Sequence, residues 1–128
     1  MEIGPLVKHQ VLTLGPDESL AEAARRMKAR KVGSAVVTME DVGPGIITER
    51  DLLSAIADGR DLEATPVTEY MTATAITASS SWDVRTAAET MTKGGFRHLV
   101  VLNDRGEVSG MLSVRDLVPI LLDQIRHD

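Results

Sequence analysis

The sequence predicts a mixed α/β (α+β) fold made of two copies of one strand–helix–strand–strand–helix unit. The main observation is a repeated string: one glycine, a short apolar run, a hydroxyl residue, an Arg–Asp pair and two aliphatic residues. It occupies residues 45–53 and, 65 positions later, residues 110–118. The segments around the string also recur in the same order. A repeat of this kind has to be recognised before a fold is assigned.

The first copy begins with a short strand at residues 12–14 and an amphipathic helix. Ser19 stands three residues before Glu22, the spacing of a capping box at a helix N-terminus. Apolar residues then follow at helical spacing, which predicts one buried face. They are Leu20, Ala23, Ala24 and Met27.

A predicted hairpin and a second helix complete the first copy. Residues 33–39 are small or β-branched and predict a buried strand, Glu40–Asp41 predicts a turn, and residues 45–47 predict the returning strand. The helix after Thr48 is expected to bury one face and to end near residues 58–59. That face is composed of Leu52, Leu53, Ile56 and Ala57.

The second copy matches the first with a constant offset. At a shift of 64, Thr13 falls on Thr77 and Met27 on Met91, and the one extra residue falls in the second hairpin, around residues 103–106. Insertions are tolerated best in loops. The polar residues 58–66 predict a linker, and residues 67–72 precede the second copy much as residues 3–8 precede the first. The copies are therefore assigned to residues 1–63 and 64–128.

Composition narrows the classes of function. The 128 residues carry a net charge of −5, no cysteine, and one each of Phe, Tyr and Trp. Thiol chemistry and disulfides are thereby excluded, while the charge and the scarcity of aromatics argue against nucleic acid and anionic membranes as partners. No signal-peptide pattern or bilayer-length apolar run occurs. A cytoplasmic location is expected.

The two strings, together with residues 96–101 (FRHLVV) ahead of Asn103–Asp104, resemble those of a tandem CBS-domain protein. Such a cystathionine-β-synthase domain pair is also called a Bateman module. The resemblance covers residues 3–125. It implies two β-α-β-β-α CBS repeats packed about a pseudo-twofold axis, adenosine-containing ligands in the clefts between them, and dimers. It further implies a regulatory module in signal transduction rather than an enzyme.

The resemblance also implies specific ligand-binding residues, with no metal and no required cofactor; AMP, ADP, ATP or a related adenosyl ligand is the expected effector. Asp51 and Asp116 match the ribose-binding carboxylates, since a carboxylate can accept from both hydroxyls of a diol. Thr48 and Ser113 match the hydroxyls that contact ribose or phosphate. The weaker matches are Arg97, His98, Arg50 and Arg115 for phosphate, and Thr13, Leu14, Thr77 and Ala78 for adenine.

Two alternatives stay open at this point. A hydroxyl residue three positions before Asp is also a helix-capping pattern, and both roles can coexist. The first copy has Gly33 and Ser34 where the second has Arg97 and His98. The clefts are therefore expected to be unequal, and a ligand-free dimerisation or partner-docking module is the second hypothesis. No nucleophile–base pair is visible to support an enzyme.

The C-terminal residues predict a homodimer. Residues 117–125 contain more aliphatic side chains than one buried stripe requires, and a surplus apolar face is typical of an interface. Pro119 is expected to bend or restart this helix. Elsewhere, Trp82 is expected to pack ahead of a helix capped by Asp83, and His9 and His127 to be solvated.

Overall fold

The computed structural model describes residues 1–7, 11–40 and 42–127, with the side chains of Gln124 and His127 outside the description. The predicted turn residue Asp41 and His9 also lie outside it. The strands are β1 (Thr13–Leu14), β2 (Ser34–Val37), β3 (Gly45–Thr48), β4 (Thr77–Ser79), β5 (His98–Leu102) and β6 (Val108–Ser113). The α-helices are α1 (Leu20–Arg30), α2 (Glu49–Ala57), α3 (Val84–Gly94) and α4 (Val114–His127), and short 3-10 helices span Gly4–Leu6 and Val67–Glu69.

Two three-stranded sheets with the same topology confirm the predicted duplication. In the first sheet β1 runs parallel to β2, and β2 pairs antiparallel with β3. In the second, β4 runs parallel to β5, and β5 pairs antiparallel with β6. A parallel pair needs a long crossover, which α1 and α3 supply, whereas the antiparallel pairs are joined by hairpins. The mixed α/β fold with two repeats is therefore confirmed.

The chain forms two compact units whose limits differ from those of the sequence copies. One unit is Val11–Ala75; the other combines the first seven residues with the chain from Ile76 onward. In the latter, Ile3 and Val7 are buried in the same core as Val84 and Leu99. The segment before each copy thus packs into the sheet of the other copy.

The predicted linker, residues 58–66, is part of the Val11–Ala75 unit and is not a free connection. Thr65 is buried, its carbonyl accepts from Leu20 N at 2.9 Å, and the carbonyl of Leu62 accepts from Ala21 N at 3.0 Å. These bonds satisfy backbone N–H groups at the N-terminus of α1 that have no partner within the helix. Val67 then enters the core beside Leu14.

Helix caps explain where α1 and α3 begin. Ser19 Oγ accepts from Glu22 N at 3.0 Å, but the Glu22 carboxylate accepts from Arg25 instead of closing the box. Only half of the predicted capping box therefore forms. Asp83 caps α3 as predicted, by accepting from Arg85 N at 3.0 Å, and the adjacent Trp82 packs against the core.

The predicted buried face of α2 is partly wrong. Leu52 packs against the core and Ala55 is buried, but Leu53 is 65% exposed, Ile56 is 58% exposed, and Ala57 is exposed as well. The helix is only nine residues long and lies against the sheet through one narrow stripe. The rest of its aliphatic surface faces away from that core.

Helix α4 is continuous through Pro119, so the predicted restart is wrong, while a bend there stays a prediction. Proline removes one backbone donor. Leu117 on one side and Ile120 and Leu121 on the other hold both halves against the core. No helix in the described part of the chain is long and apolar enough to span a bilayer.

Candidate functional site

The repeated string folds into a strand-to-helix junction in each unit. Strand β3 ends at Thr48 and α2 begins at Glu49, while β6 ends at Ser113 and α4 begins at Val114. The glycine that opens the first string is required by space. A Cβ on Gly45 would lie 2.9 Å from Met71 Sδ and 3.0 Å from the Thr72 carbonyl oxygen, so any larger residue must displace the Met71 side chain and crowd this carbonyl.

At the first junction Asp51 and Thr48 form a reciprocal cap. Asp51 Oδ2 accepts from Thr48 N at 2.8 Å and from Thr48 Oγ1 at 3.1 Å. Thr48 Oγ1 in turn accepts from Asp51 N at 3.4 Å. The capping interpretation is therefore correct, with Asp in the position usually held by Glu.

The second junction has the same cap, although its hydroxyl residue is serine. Asp116 Oδ2 accepts from Ser113 N at 2.9 Å and from Ser113 Oγ at 3.0 Å, and Ser113 Oγ accepts from Asp116 N at 3.3 Å. Each distance agrees with its counterpart at the first junction to within 0.1 Å. The two junctions are thus one structural device used twice.

Each cap uses only one oxygen of its carboxylate. Within the described part of the chain no hydrogen bond reaches Oδ1 of Asp51 or Asp116, and both side chains remain partly accessible. An ionised carboxylate oxygen is a strong acceptor for hydroxyl donors. The cap holds this oxygen in place beside a helix N-terminus, where the positive end of the helix dipole favours anions. Capping and ligand binding are therefore compatible at the same residue.

Three of the four basic residues expected near phosphate lie at the second junction, namely Arg97, His98 and Arg115. His98 lies directly opposite Ser113 in the β5–β6 ladder, and the exposed Arg97 precedes it. Burial lowers the pKa of His98 below its ordinary value; the Asp116 carboxylate counteracts this effect and the Arg97 cation adds to it. The imidazole, the carboxylate and the hydroxyl therefore occupy one end of the second sheet.

A match to a family model identifies the family that contains these two junctions. The model described as "CBS domain" matches residues 3–58 and again residues 67–123, which together are most of the chain. The chain belongs to the CBS-domain family. The resemblance inferred from the two strings is confirmed, and both matched segments contain one capped junction.

Related proteins and structures agree with this assignment. A 17.7 kDa protein of Acidianus ambivalens is 37% identical over 123 residues, which are 95% of this chain and 74% of that protein. A Methanopyrus kandleri protein is 29% identical over 94% of this chain, and the match spans only 62% of its own length. The structure of a CBS domain protein from Pyrobaculum aerophilum, complexed with AMP, has a TM-score of 0.85. It is 33% identical and covers 98% of this chain and 99% of its own.

The CBS repeats differ at the positions beside the cap. In the first repeat Ser34 lies opposite Thr48, where the second repeat has His98 opposite Ser113. Arg50 and Arg115 occupy the first turns of α2 and α4, and both are exposed. Each repeat therefore supplies one guanidinium next to its carboxylate, but only the second adds a basic pair at the start of the neighbouring strand.

The residues expected to contact adenine lie in β1 and β4, and their side chains differ in solvent exposure. Leu14 and Ala78 are buried core residues, whereas Thr13 is exposed and Thr77 half-buried. Only the two threonines present accessible side chains. Thr77 and Ala78 also border an open depression of about 370 Å³ at the far end of the second sheet. Its remaining lining residues include Trp82, Leu102 and Asp104.

One residue beside the first cap was not singled out from the sequence. The Glu49 carboxylate lies over Gly33, so that a Cβ placed on Gly33 would be 3.1 Å from Glu49 Cδ. The signal was the mismatch between Glu49 and Val114 in two otherwise matching strings. Among the described residues, no group of His, Asp and Glu is arranged to hold a metal ion.

Proposed function

We propose that this protein is a regulatory module that binds an adenosine-containing ligand at its capped junctions. The observation that carries the proposal is the uncommitted Oδ1 of Asp51 and of Asp116, held in place by a cap that occupies Oδ2. A ribose diol supplies the hydroxyl donors that such an oxygen accepts. A regulatory module of this kind would report its bound state to an effector protein.

The phosphate-bearing members of this ligand class fit the second junction. Arg97 and Arg115 supply positive charge at this junction, the His98 imidazole can donate a hydrogen bond, and the N-terminus of α4 adds the positive end of its dipole. AMP is a reasonable first probe, since the similar Pyrobaculum aerophilum protein was solved in complex with AMP. ADP, ATP, NAD and S-adenosylmethionine share the adenosyl group and complete the panel.

A thermal-shift experiment with this panel tests the proposal. A ligand that binds only the folded state raises the melting temperature in proportion to the logarithm of its concentration above Kd. We expect at least one adenosyl ligand to raise it at submillimolar concentration, and inorganic phosphate alone to have no such effect. If no member of the panel raises the melting temperature at millimolar concentration, the protein does not have this function.

A second candidate function, dimerisation without ligand, is favoured by one surface of α4. Val118, Leu122 and Ile125 recur at helical spacing, and the latter two are 50% and 71% exposed. A second copy of this chain would cover that stripe.

The change of Leu122 and Ile125 to Lys is then expected to convert a dimer into a folded monomer. Light scattering measures the state, and Val42→Lys, at another exposed apolar site, is the matched control. A wild-type monomer at micromolar concentration contradicts this candidate.

A further inference from the structure

The open depression in the second unit lies at the end of the sheet opposite the Ser113–Asp116 junction. Strand β5 connects the two ends: His98 pairs with Ser113 at the junction, and Leu102 lines the depression. Successive strand residues are about 3.3 Å apart, so the ends of β5 are separated by about 13 Å. The volume of about 370 Å³ is at the lower end of the range for small-ligand sites. The depression is therefore a separate place from the capped carboxylate.

A comparison of the repeats explains why this end of the second sheet is open. The parallel strand pairs of the two sheets have the same register with an offset of 64. At that offset Asn103 corresponds to Met39, which packs against the core of the first unit. Trp82 corresponds to Glu18, whose carboxylate is bonded within the first unit. The second repeat thus replaces a core-filling methionine and an internally bonded carboxylate with an amide and an indole ring.

The hairpin between β5 and β6 holds a carboxylate at the rim of the depression. Asn103 Oδ1 accepts from Arg105 N at 2.9 Å and from Glu107 N at 3.0 Å. Gly106 has a φ of +77°, which favours glycine and gives the turn a defined shape. The exposed Asp104 belongs to this turn and lines the depression. Among the described residues no hydrogen bond or ion pair engages its carboxylate.

The opposite wall of the depression is aromatic and apolar. Trp82 is partly buried, and its side chain packs against the core and also lines the depression, together with Ala78 and Leu102. The face of an indole ring attracts cations more strongly than the other aromatic side chains do. A planar guanidinium stacks on such a face and also pairs with a carboxylate through two parallel hydrogen bonds. The two walls therefore complement the same chemical group.

We propose that this depression binds a guanidinium group, stacked on Trp82 and paired with Asp104. The alkyl chain that carries the group covers Ala78 and Leu102. This inference goes beyond the proposed function, because the ligand is a cation and the residues that bind it belong to neither junction. The group can be carried by a free metabolite or by an arginine side chain of a partner protein, and the chemistry of the depression is the same for both.

Fluorescence tests the proposal directly, since Trp82 is the only tryptophan of the chain. The protein is titrated with L-arginine at constant ionic strength. We expect a saturable change in emission with a dissociation constant on the order of 1–10 mM or lower. L-Citrulline has an uncharged urea group in place of the guanidinium and should produce no saturable change.

A second titration distinguishes the two sources of the group. A blocked Gly-Arg-Gly tripeptide presents the same side chain without the charged ends of the free amino acid. Tighter binding of the tripeptide than of L-arginine would assign the guanidinium to a partner protein. The reverse order would assign it to a free metabolite. Either order supports a guanidinium site.

Two matched variants test the carboxylate. Asp104→Asn keeps the size of the side chain and suits a turn, and it should weaken L-arginine binding about three- to tenfold, as expected for an exposed ion pair. Glu107→Gln makes the same change in net charge at an exposed position of the same hairpin, outside the lining, and should leave the affinity unchanged. Trp82→Leu should abolish binding measured by calorimetry. If the loss of the ring from the core unfolds that variant, Asp104→Asn still decides the matter.

Three results would overturn the inference. They are the absence of a saturable change with L-arginine and with the tripeptide up to about 50 mM, equal binding of L-citrulline and L-arginine, and unchanged L-arginine affinity in folded Asp104→Asn protein. None of them affects the adenosyl proposal, whose carboxylates lie at the junctions. Failure of the nucleotide panel would likewise leave the guanidinium site standing.

Discussion

The two strand-to-helix junctions differ far more in charge than in geometry. Their capping hydrogen bonds agree to within 0.1 Å, although one cap uses threonine and the other serine. The positions that flank the caps nevertheless carry Gly33 and Glu49 in one unit and Arg97 and Val114 in the other. The residues that build the junction are therefore separate from those that set the charge around it.

The largest expected effect comes from lengthening the carboxylate at the second junction. Asp116→Glu should keep the thermal stability of the ligand-free protein, because Glu is the usual partner in a capping box. The added methylene moves the ligand-facing oxygen, so AMP affinity should fall by about ten- to a hundredfold, or about 1.5–3 kcal/mol. Calorimetry measures the affinity, and Asp51→Glu makes the same test at the first junction. Unchanged affinity in both variants would leave the carboxylates with a capping role alone.

Removing the capping hydroxyls should lower stability equally in the two units. Thr48→Ala and Ser113→Ala each lose an N-cap, which typically decreases the free energy of unfolding by about 0.5–2 kcal/mol. Because the geometries match, the two losses should agree within the error of chemical denaturation. Thr90→Ala is the control, since that hydroxyl only donates to the Thr86 carbonyl within α3. A loss confined to one junction would show that the caps are not energetically equivalent.

The smallest expected effect is a pH dependence of stability. It arises from His98, which only the second junction has. Burial lowers its pKa in the folded protein, so below about pH 6.5 the unfolded chain binds a proton that the folded chain resists. Stability should therefore decrease as the pH falls through this value and level off below the folded pKa. His98→Asn should remove this component, as measured by denaturation at pH 5 and pH 8.

The same imidazole predicts a pH dependence of opposite sign for AMP binding. A bound phosphate raises the pKa of His98 relative to the free protein, so binding takes up a proton and becomes tighter as the pH falls toward 6. The difference between wild type and His98→Asn isolates this effect from protonation of the phosphate itself. Parallel pH profiles for the two proteins would mean that the phosphate does not approach His98.

The sequence was sufficient for the repeat, the order of the elements and the capped junctions. Each depends on local information: the period of apolar residues, and a hydroxyl residue three positions ahead of a carboxylate. The caps at Thr48 and Ser113 were predictable for that reason. The uncommitted Oδ1 was not, since it depends on which oxygen the backbone amide engages.

Features that depend on distant contacts were missed. The apolar pattern of α2 includes Leu53 and Ile56. It does not reveal that only Leu52 and Ala55 pack against the core. The burial of Ile3 beside residues of α3 joins parts of the chain about 80 positions apart, and no local pattern encodes it. The Glu49 carboxylate over Gly33 likewise required the pairing of a helix start with a strand start.

Residues 1–7 pack with the chain from Ile76 onward, and this packing affects the order in which the protein can fold during synthesis. The Val11–Ala75 unit is continuous in sequence, so its core can close as soon as residue 75 has left the ribosome. Ile3 and Val7, although synthesised before that unit, must wait for strands and helices encoded after residue 76. Until then their apolar side chains lack the core into which they pack. Residues that precede the Val11–Ala75 unit in the chain are thus buried after it.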